Sequence, residues 1–351
     1  MIRKKIYELK GNETLAKALM TLDYQIILQE GAILRPDYIE RLQEIGVMDV
    51  WVYDEYYGEK DAITILKDDI LCTVNQTVKD ILERHTYQNN EELSELSQTV
   101  ENILQSMLEE EKILESVLEI KQRSSDLYEH SIKVCTLSML TALKLKMDKK
   151  AIMELGIGCL LHDIGLRYET LDYFCLNMED INKQDLAEYR KHPIYGYESL
   201  KKESWLSKSS LNIILFHHET LDGEGYPIKT REISMQCGIV SVCDTFDEML
   251  AGIGCVRTKL YEVVEFLKHF KNIKFNDKIV DAFLSFIAVY PTGTRILTNE
   301  GEEGIVVRQN KEFLERPVIR ITHYKNGNEV TGIVIKDLVK VHNIFIEKVL
   351  D

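Results

Sequence analysis

The sequence predicts a mainly α protein: a helical central domain between a small mixed α/β segment at its N-terminal end and a small β barrel or sandwich at its C-terminal end. Three observations carry this. Apolar residues recur at three- and four-residue spacing across most of residues 66–287. Short β-type runs separated by turn residues take over from residue 288 onward. The first 65 residues mix both patterns. A chain of 351 residues suits two or three domains, and 45% hydrophobic content is ample for packed cores.

Within residues 1–65, Tyr24–Leu28 reads as a strand and Glu30-Gly31 as a turn. Pro36 opens a short helix with Tyr38, Ile39, Leu42 and Ile45 apolar and a stop near Gly46. Val50–Tyr53 reads as a second strand. The segment holds no catalytic constellation, which suits a regulatory or docking domain. Residues 66–123 read as a linker of long helices. Ile70, Val74, Val78 and Ile81 share one face. A second helical stretch, 91–121, carries Leu104, Leu108, Leu114, Leu118 and Ile120, with Glu109–Glu111 as a solvated face. That apolar stripe leaves two readings open: packing on the chain's own core, or a homodimer through the linker.

Residues 124–287 are helical by pattern. Ile152, Leu155, Cys159 and Leu160 form an apolar face that leads to His162-Asp163, and Gly165 suits a helix terminus. Residues 288–351 carry β-type runs at 294–297, 304–307, 318–321, 332–335 and 344–346. His323 and His342 lie in strand-like or polar contexts and read as structural.

The net charge of −15 disfavours DNA, which requires a basic stripe. A small phosphodiester held through cations remains compatible, because the ions supply positive charge locally. No apolar run reaches the ~18 residues of a membrane span. The N-terminal MIRKKIYELKGNE has no apolar stretch behind its basic residues, so no secretory signal is expected. Cysteines at 72, 135, 159, 175, 237, 243 and 255 form no Cys-x-x-Cys pair, which suits reduced thiols. Cytoplasmic localisation is the expectation, without membrane insertion.

The chemistry lies in an ordered series of His and carboxylate clusters: Asp126-x-x-x-His130, His162-Asp163, His192-Pro193, His217-His218-Glu219 and Asp244. Imidazole and carboxylate are the ligands that hold divalent cations close together, and such ions activate water at neutral pH. Residues adjacent on a helix diverge by about 100°. His162 and Asp163 can therefore reach neighbouring ions, and the same holds for His217 and His218. Asp126 and His130 share a helix face.

The strings LLHDIG (160–165), KHPIYGYESL (191–200), HHETLDGEGYP (217–227) and VCDTFDEML (242–250) resemble the HD-GYP family of metal-dependent phosphohydrolases, over roughly residues 116–287. The resemblance implies an all-helical catalytic core. It implies a cyclic di-GMP phosphodiesterase of bacterial signalling, acting through a metal-activated hydroxide at a two- or three-metal site. Two or three divalent transition-metal ions are expected, iron or manganese foremost. Asp163 would bridge two ions and is the expected catalytic residue. His130, His162 and Asp244 would complete one shell, and His192, His217 and His218 the other. Asp126 is the candidate third-metal ligand, in a position where family members usually carry Glu. Gly225, Tyr226 and Pro227 would shape the substrate pocket, with Gly223 and Gly225 adopting backbone conformations open to glycine alone.

The chain also departs from the family. Leu166 stands where a lysine usually follows His-Asp-x-Gly, with Arg167 next to it as a candidate substrate contact. Ala251–Cys255 replaces an Asp-Arg-Pro-Tyr type string, and Met178–Asn182 replaces a Lys-Pro-Gly type stretch. The alternative reading is therefore a weakly active or inactive module that senses cyclic di-GMP or binds a signalling partner.

Overall fold

A computed structural model describes residues 2–21, 26–53, 68–88, 92–109, 117–120, 124, 126–168 and 181–350. The chain divides into two compact units. One takes residues 1–64, 116–119 and 287–351, and the other takes 65–115 and 120–286.

In the first unit, the N-terminal part contains β1 (Ile2–Lys5), β2 (Glu13–Thr14), β3 (Leu19–Met20), β4 (Ile26–Leu28), β5 (Ile33–Leu34), α1 (Pro36–Glu44) and β6 (Asp49–Val52). The strands pair antiparallel in twos: β1 with β6, β2 with β5, β3 with β4. Ile6, Leu15, Leu34, Leu42, Val50 and Val52 form the core beneath them. Pro36 opens α1 as expected, but Ile45 is exposed, because the helix has ended before it. The expected strand at Tyr24–Leu28 is seen from Ile26; Tyr24 and Gln25 lie outside the described residues.

The C-terminal part is one antiparallel sheet of five strands: β7 (Arg295–Thr298), β8 (Glu303–Arg308), β9 (Val318–His323), β10 (Glu329–Asp337) and β11 (Ile346–Leu350). Their order is β10-β9-β8-β7-β11, and the edge strands β10 and β11 do not pair among the described residues. The expected barrel or sandwich is therefore corrected to an open sheet. Its apolar face, Ile296, Val306, Ile319 and Ile321, is covered by Leu338, Val341 and Ile344 from the segment between β10 and β11. With that face covered, closure is not needed to bury it.

The second unit is helical: α2 (Asp68–Gln88), α3 (Leu96–Glu109), α4 (Leu127–Lys144), α5 (Lys149–Leu161), α6 (Lys183–Tyr189), α7 (His192–Leu200), α8 (Lys208–Phe216), α9 (Met235–Ala251), α10 (Leu260–His269) and α11 (Asp277–Leu284). Side-chain caps start many of them. Asp126, Asp148, Ser207 and Ser234 each accept a backbone N–H from the first turn of α4, α5, α8 and α9. Gly252, at φ 81°, ends α9. Twelve of the 18 residues of α4 are buried, which makes it the central helix, flanked by α5 and α9.

The helices read as a linker pack inside this unit. Val74, Val78 and Ile81 of α2 are buried, as are Leu96, Val100, Ile103, Leu104 and Met107 of α3. The apolar stripe of α3 is thus spent on the chain's own helix α5, while Leu108 points outward. The helix expected to run to 121 is not continuous, since Leu118 bridges to Ile287 instead. Leu114, Glu111 and Cys175 lie outside the described residues, as does most of the Met178–Asn182 stretch. The six described cysteines are free thiols. Among the described residues, no helix is long and apolar enough to cross a membrane.

Candidate metal centre

Five helices deliver the clustered side chains to one place. His130 sits in the first turn of α4, His162 and Asp163 just past the end of α5, and His192 opens α7. His217 and His218 follow α8, and Asp244 lies in the middle of α9. Their ligand atoms fall into groups close enough to share an ion. Asp163, His192, His217 and His218 form one group, and His130, His162 and Asp244 another. His218, Asp244 and Glu248 form a third.

The ring nitrogens explain what this arrangement demands. Nδ1 of His162 lies 2.6 Å from the Cys159 carbonyl, and Nδ1 of His192 lies 2.9 Å from that of Tyr189. Nδ1 of His217 lies 3.0 Å from the Ile214 carbonyl. A carbonyl only accepts, so each Nδ1 carries a proton and the Nε2 of each ring turns inward. Two such nitrogens, on His192 and His217, then face each other at 3.2 Å. Lone pairs at that distance repel unless a cation lies between them.

Asp163 serves both sides. Its Oδ1 lies 3.3 Å from His192 Nε2 and 3.6 Å from His217 Nε2. Its Oδ2 lies 3.4 Å from His162 Nε2 and 3.6 Å from His130 Nε2. Asp244 repeats the pattern. Oδ1 lies 3.1 Å from His130 Nε2 and 3.4 Å from His162 Nε2, while Oδ2 lies 3.5 Å from His218 Nδ1. Both Asp244 oxygens and His218 Nε2 are buried without a hydrogen-bond partner among the described residues. Burying a carboxylate in this way is costly unless a cation offsets it. The donor set therefore fits divalent metal, and the chemistry of its imidazoles and carboxylates suits first-row transition ions.

Electrostatics point the same way. Burial opposes the imidazolium of His130, but Asp244 and Asp247 outweigh it and hold its pKa well above the usual value. Burial also opposes charge on His218, the neighbouring His217 adds to this, and its pKa falls well below normal. Burial disfavours the Asp163 carboxylate, yet the surrounding His162, His192 and His217 hold its pKa well below the ordinary range. Glu248 is pushed up by burial and then by the charge of Asp244.

Asp126 is placed differently. It caps α4, its Oδ1 accepting the Glu129 N–H at 2.8 Å, and it belongs to none of the three ligand groups. With Asp163, Leu166 and Arg167 it lines a cavity of about 430 Å³. Arg167 donates to the Leu82 carbonyl of α2 at 2.6 Å. Leu166 is buried against Tyr189, with Leu127 and Tyr226 beside it.

Two glycines are fixed by close approach. A methyl on Gly165 would lie 1.9 Å from the His192 carbonyl oxygen, so this glycine lets the turn after Asp163 press against the start of α7. A methyl on Gly225 would lie within 2.6 Å of the Glu219 and Thr220 backbone. Gly225 thus serves packing, whereas Gly223 alone of the pair needs a left-handed backbone, at φ 73°. Likewise Gly165 lies within a 3-10 turn, Ile164–Tyr168, and does not end a helix.

The loop they shape covers the histidines. Tyr226 stacks on His218 with ring centroids 4.5 Å apart, and the Arg190 guanidinium lies 5.5 Å from the Tyr226 ring centre. Glu219, fully buried, accepts the Ile228 and Lys229 N–H groups and anchors the segment just after Pro227.

Three residues escaped the motif reading. Asp247 accepts from His130 Nδ1 at 2.9 Å and from Ser124 at 2.6 Å, and pairs with the Lys133 ammonium at 3.0 Å. Glu248 faces Asp244 and His218, and Arg190 reaches Tyr226. Asp247 and Glu248 stand three and four residues beyond Asp244, a spacing that puts them on its helix face and could have marked them.

A family profile described as HD domain matches residues 111–271. A cyclic di-GMP phosphodiesterase of Pseudomonas aeruginosa is 27% identical over 229 residues, 64% of this chain and 55% of the relative. A cyclic di-GMP phosphodiesterase of Thermotoga maritima is 29% identical over 185 residues, 50% of each chain. The chain spans about half the length of these relatives. The solved structure of an HDG"Y"P protein from Bdellovibrio bacteriovorus shares the fold at a TM-score of 0.54 and 20% identity, covering 80% of this chain and 97% of its own. Residues 111–271 thus match the HD domain, and over part of its length the chain is similar to proteins named cyclic di-GMP phosphodiesterases.

Proposed function

We propose that this chain is a metal-dependent phosphodiesterase that hydrolyses cyclic di-GMP at a centre of two or three divalent ions. The observation that carries the reading is Asp163, whose two carboxylate oxygens each face a different pair of histidine Nε2 atoms. One group of residues would hold each ion: His130, His162 and Asp244 on one side, His192, His217 and His218 on the other. Bound divalent ions supply positive charge to the non-bridging phosphate oxygens and acidify a water beside them. Iron and manganese suit the donors. The choice of cyclic di-GMP rests on the two relatives, both named for that activity.

The chain's own residues bind and orient. Backbone carbonyls of Cys159, Tyr189 and Ile214 fix three imidazole tautomers before any ion arrives. Tyr226 walls the site over His218 and offers an aromatic face for a base, with Gly225 and Pro227 setting its position. Arg167 lines the cavity beside Asp163 but is committed to Leu82, so Arg190 is the cation we assign to a substrate phosphate.

A second reading is a binding module that cleaves slowly. Leu166 favours it: an apolar, buried side chain occupies a place where a lysine would favour charge build-up in the transition state. One experiment separates the two. Chelator-stripped protein is reloaded anaerobically with iron or manganese, incubated with cyclic di-GMP, and the products are resolved by chromatography. Metal-dependent appearance of linear dinucleotide or GMP supports the enzyme. Binding without product, at full metal loading, supports the sensor.

A further inference from the structure

The third ligand group is not needed for a two-ion centre, and its geometry has its own logic. Asp163 uses both oxygens to link the His130–His162 side to the His192–His217 side. Asp244 also has two oxygens, and they too face different partners. Oδ1 faces His130 and His162, while Oδ2 faces His218 Nδ1 at 3.5 Å. Glu248 follows Asp244 by four residues on α9, so its carboxylate rises on the same helix face. Ligand atoms of His218, Asp244 and Glu248 all lie within 4.8 Å of one another.

We infer that Glu248 creates a third cation position, in which His218 and Glu248 hold the ion and Asp244 links it through Oδ2 to the His130–His162 ion. This rests on the metal-centre reading above and extends it. Two observations point to a ligand there. Both Asp244 oxygens, on a residue 1% exposed, lack a hydrogen-bond partner, and Oδ2 faces away from the His130–His162 pair, toward His218 Nδ1. Two carboxylates one turn apart in a buried site also repel, and a cation between them removes that cost. Asp126 is the rival for a third ion. Its carboxylate is occupied in capping α4, and it joins none of the ligand groups.

The position also decides the allegiance of His218. A neutral imidazole offers one lone pair to metal, so His218 serves either the His192–His217 ion or the third one. With an ion held between Glu248 and Asp244 Oδ2, His218 turns to the third.

The test counts metal. Chelator-stripped protein is saturated with Mn(II), desalted and analysed for manganese per chain, with circular dichroism confirming the fold. The wild type should hold three ions, Glu248→Gln two, and Asp126→Asn three, because asparagine still caps a helix. Glu248→Ala should match Glu248→Gln. Paramagnetic resonance of the unaltered chain gives the same answer without a substitution, as a three-spin rather than a two-spin manganese cluster. A wild type that saturates at two ions, or a Glu248→Gln chain that holds as many as the wild type, overturns the third position and leaves the two-ion centre intact. Loss of an ion in Asp126→Asn but not in Glu248→Gln assigns the third position to Asp126 instead. A wild type that holds none overturns the metal centre itself.

Discussion

The carboxylate of Asp247 accepts a hydrogen bond from Nδ1 of His130 at 2.9 Å, and the two residues belong to different helices. Asp247 is fully buried and is itself braced by Lys133 and Ser124. Burial works against its carboxylate, but Lys133 and His130 hold its pKa down at about 2. It therefore stays ionised, keeps the proton on Nδ1 and leaves Nε2 for metal.

Asp247→Ala should weaken metal binding about 10- to 100-fold, the usual cost of losing such a support. Asp247→Asn, which keeps an acceptor but no charge, should fall between. Mn(II) titration followed by calorimetry reads both. Unchanged affinity in the alanine variant would show that His130 is oriented by packing alone.

Metal binding should release protons and strengthen with pH. His130 is held above its ordinary pKa by Asp244 and Asp247 against the opposing effect of burial. His162 is raised by Asp163 and Asp244, again against burial. In metal-free protein, these protonated rings contribute stability that is fully present below the unfolded-state value. That stability is lost as pH rises through the raised folded-state value. An incoming cation displaces the protons, so affinity falls as pH is lowered. Titrations in buffers of different ionisation enthalpy count the protons. Affinity that is flat between about pH 6 and 8 would contradict this.

How much of this was readable from sequence follows from the kind of information each feature needs. The clustered histidines and aspartates stood out because their chemistry survives without coordinates, whereas the convergence of the helices that carry them needed the fold. Gly165 and Gly225 were legible as glycines but not for their reasons, since close approach to His192 and to Glu219 is a tertiary fact. The two-residue strands β2, β3 and β5 were missed because they are too short to show a period of two, whereas β4 was read within Tyr24–Leu28. Four of the C-terminal strands were found and the fifth begins only at Ile346, the last residue of its expected run, while whether they close depends on the cover that Leu338 and Ile344 provide. The fate of the α3 stripe, packed inward against α5, equally needed its partner helix.

Arg190→Ala should raise KM for cyclic di-GMP by about five- to tenfold with a smaller change in kcat, because the residue is exposed, stands over the Tyr226 ring and is the cation we assign to a substrate phosphate. Arg190→Lys should recover part of the loss. Steady-state kinetics at full metal loading measure it. An unchanged KM would remove Arg190 from the substrate contacts.

Glu13 makes a prediction far from the metals. Its carboxylate accepts the N–H groups of Lys10 and Gly11 and pairs with Lys4. Burial alone would raise its pKa, but these donors bring it down to about 2. A depressed carboxylate contributes stability above its unfolded value of 4.5 and loses it as pH falls toward 2. Glu13→Gln should cost about 1–3 kcal/mol at neutral pH and flatten the acid limb. Fluorescence of Trp51 in a Trp205→Phe background follows the N-terminal part. Equal acid sensitivity in both chains would contradict the assignment.

The central claim is that Asp163 holds two ions together for phosphodiester hydrolysis. The direct measurement is cyclic di-GMP turnover and bound metal, read on the same preparations of wild type and Asp163→Asn after identical manganese loading. The account predicts that the wild type cleaves and holds at least two ions, while the variant loses at least a hundredfold in turnover, roughly 3 kcal/mol of transition-state stabilisation, and holds less metal. Near-normal turnover and metal content in Asp163→Asn would contradict it.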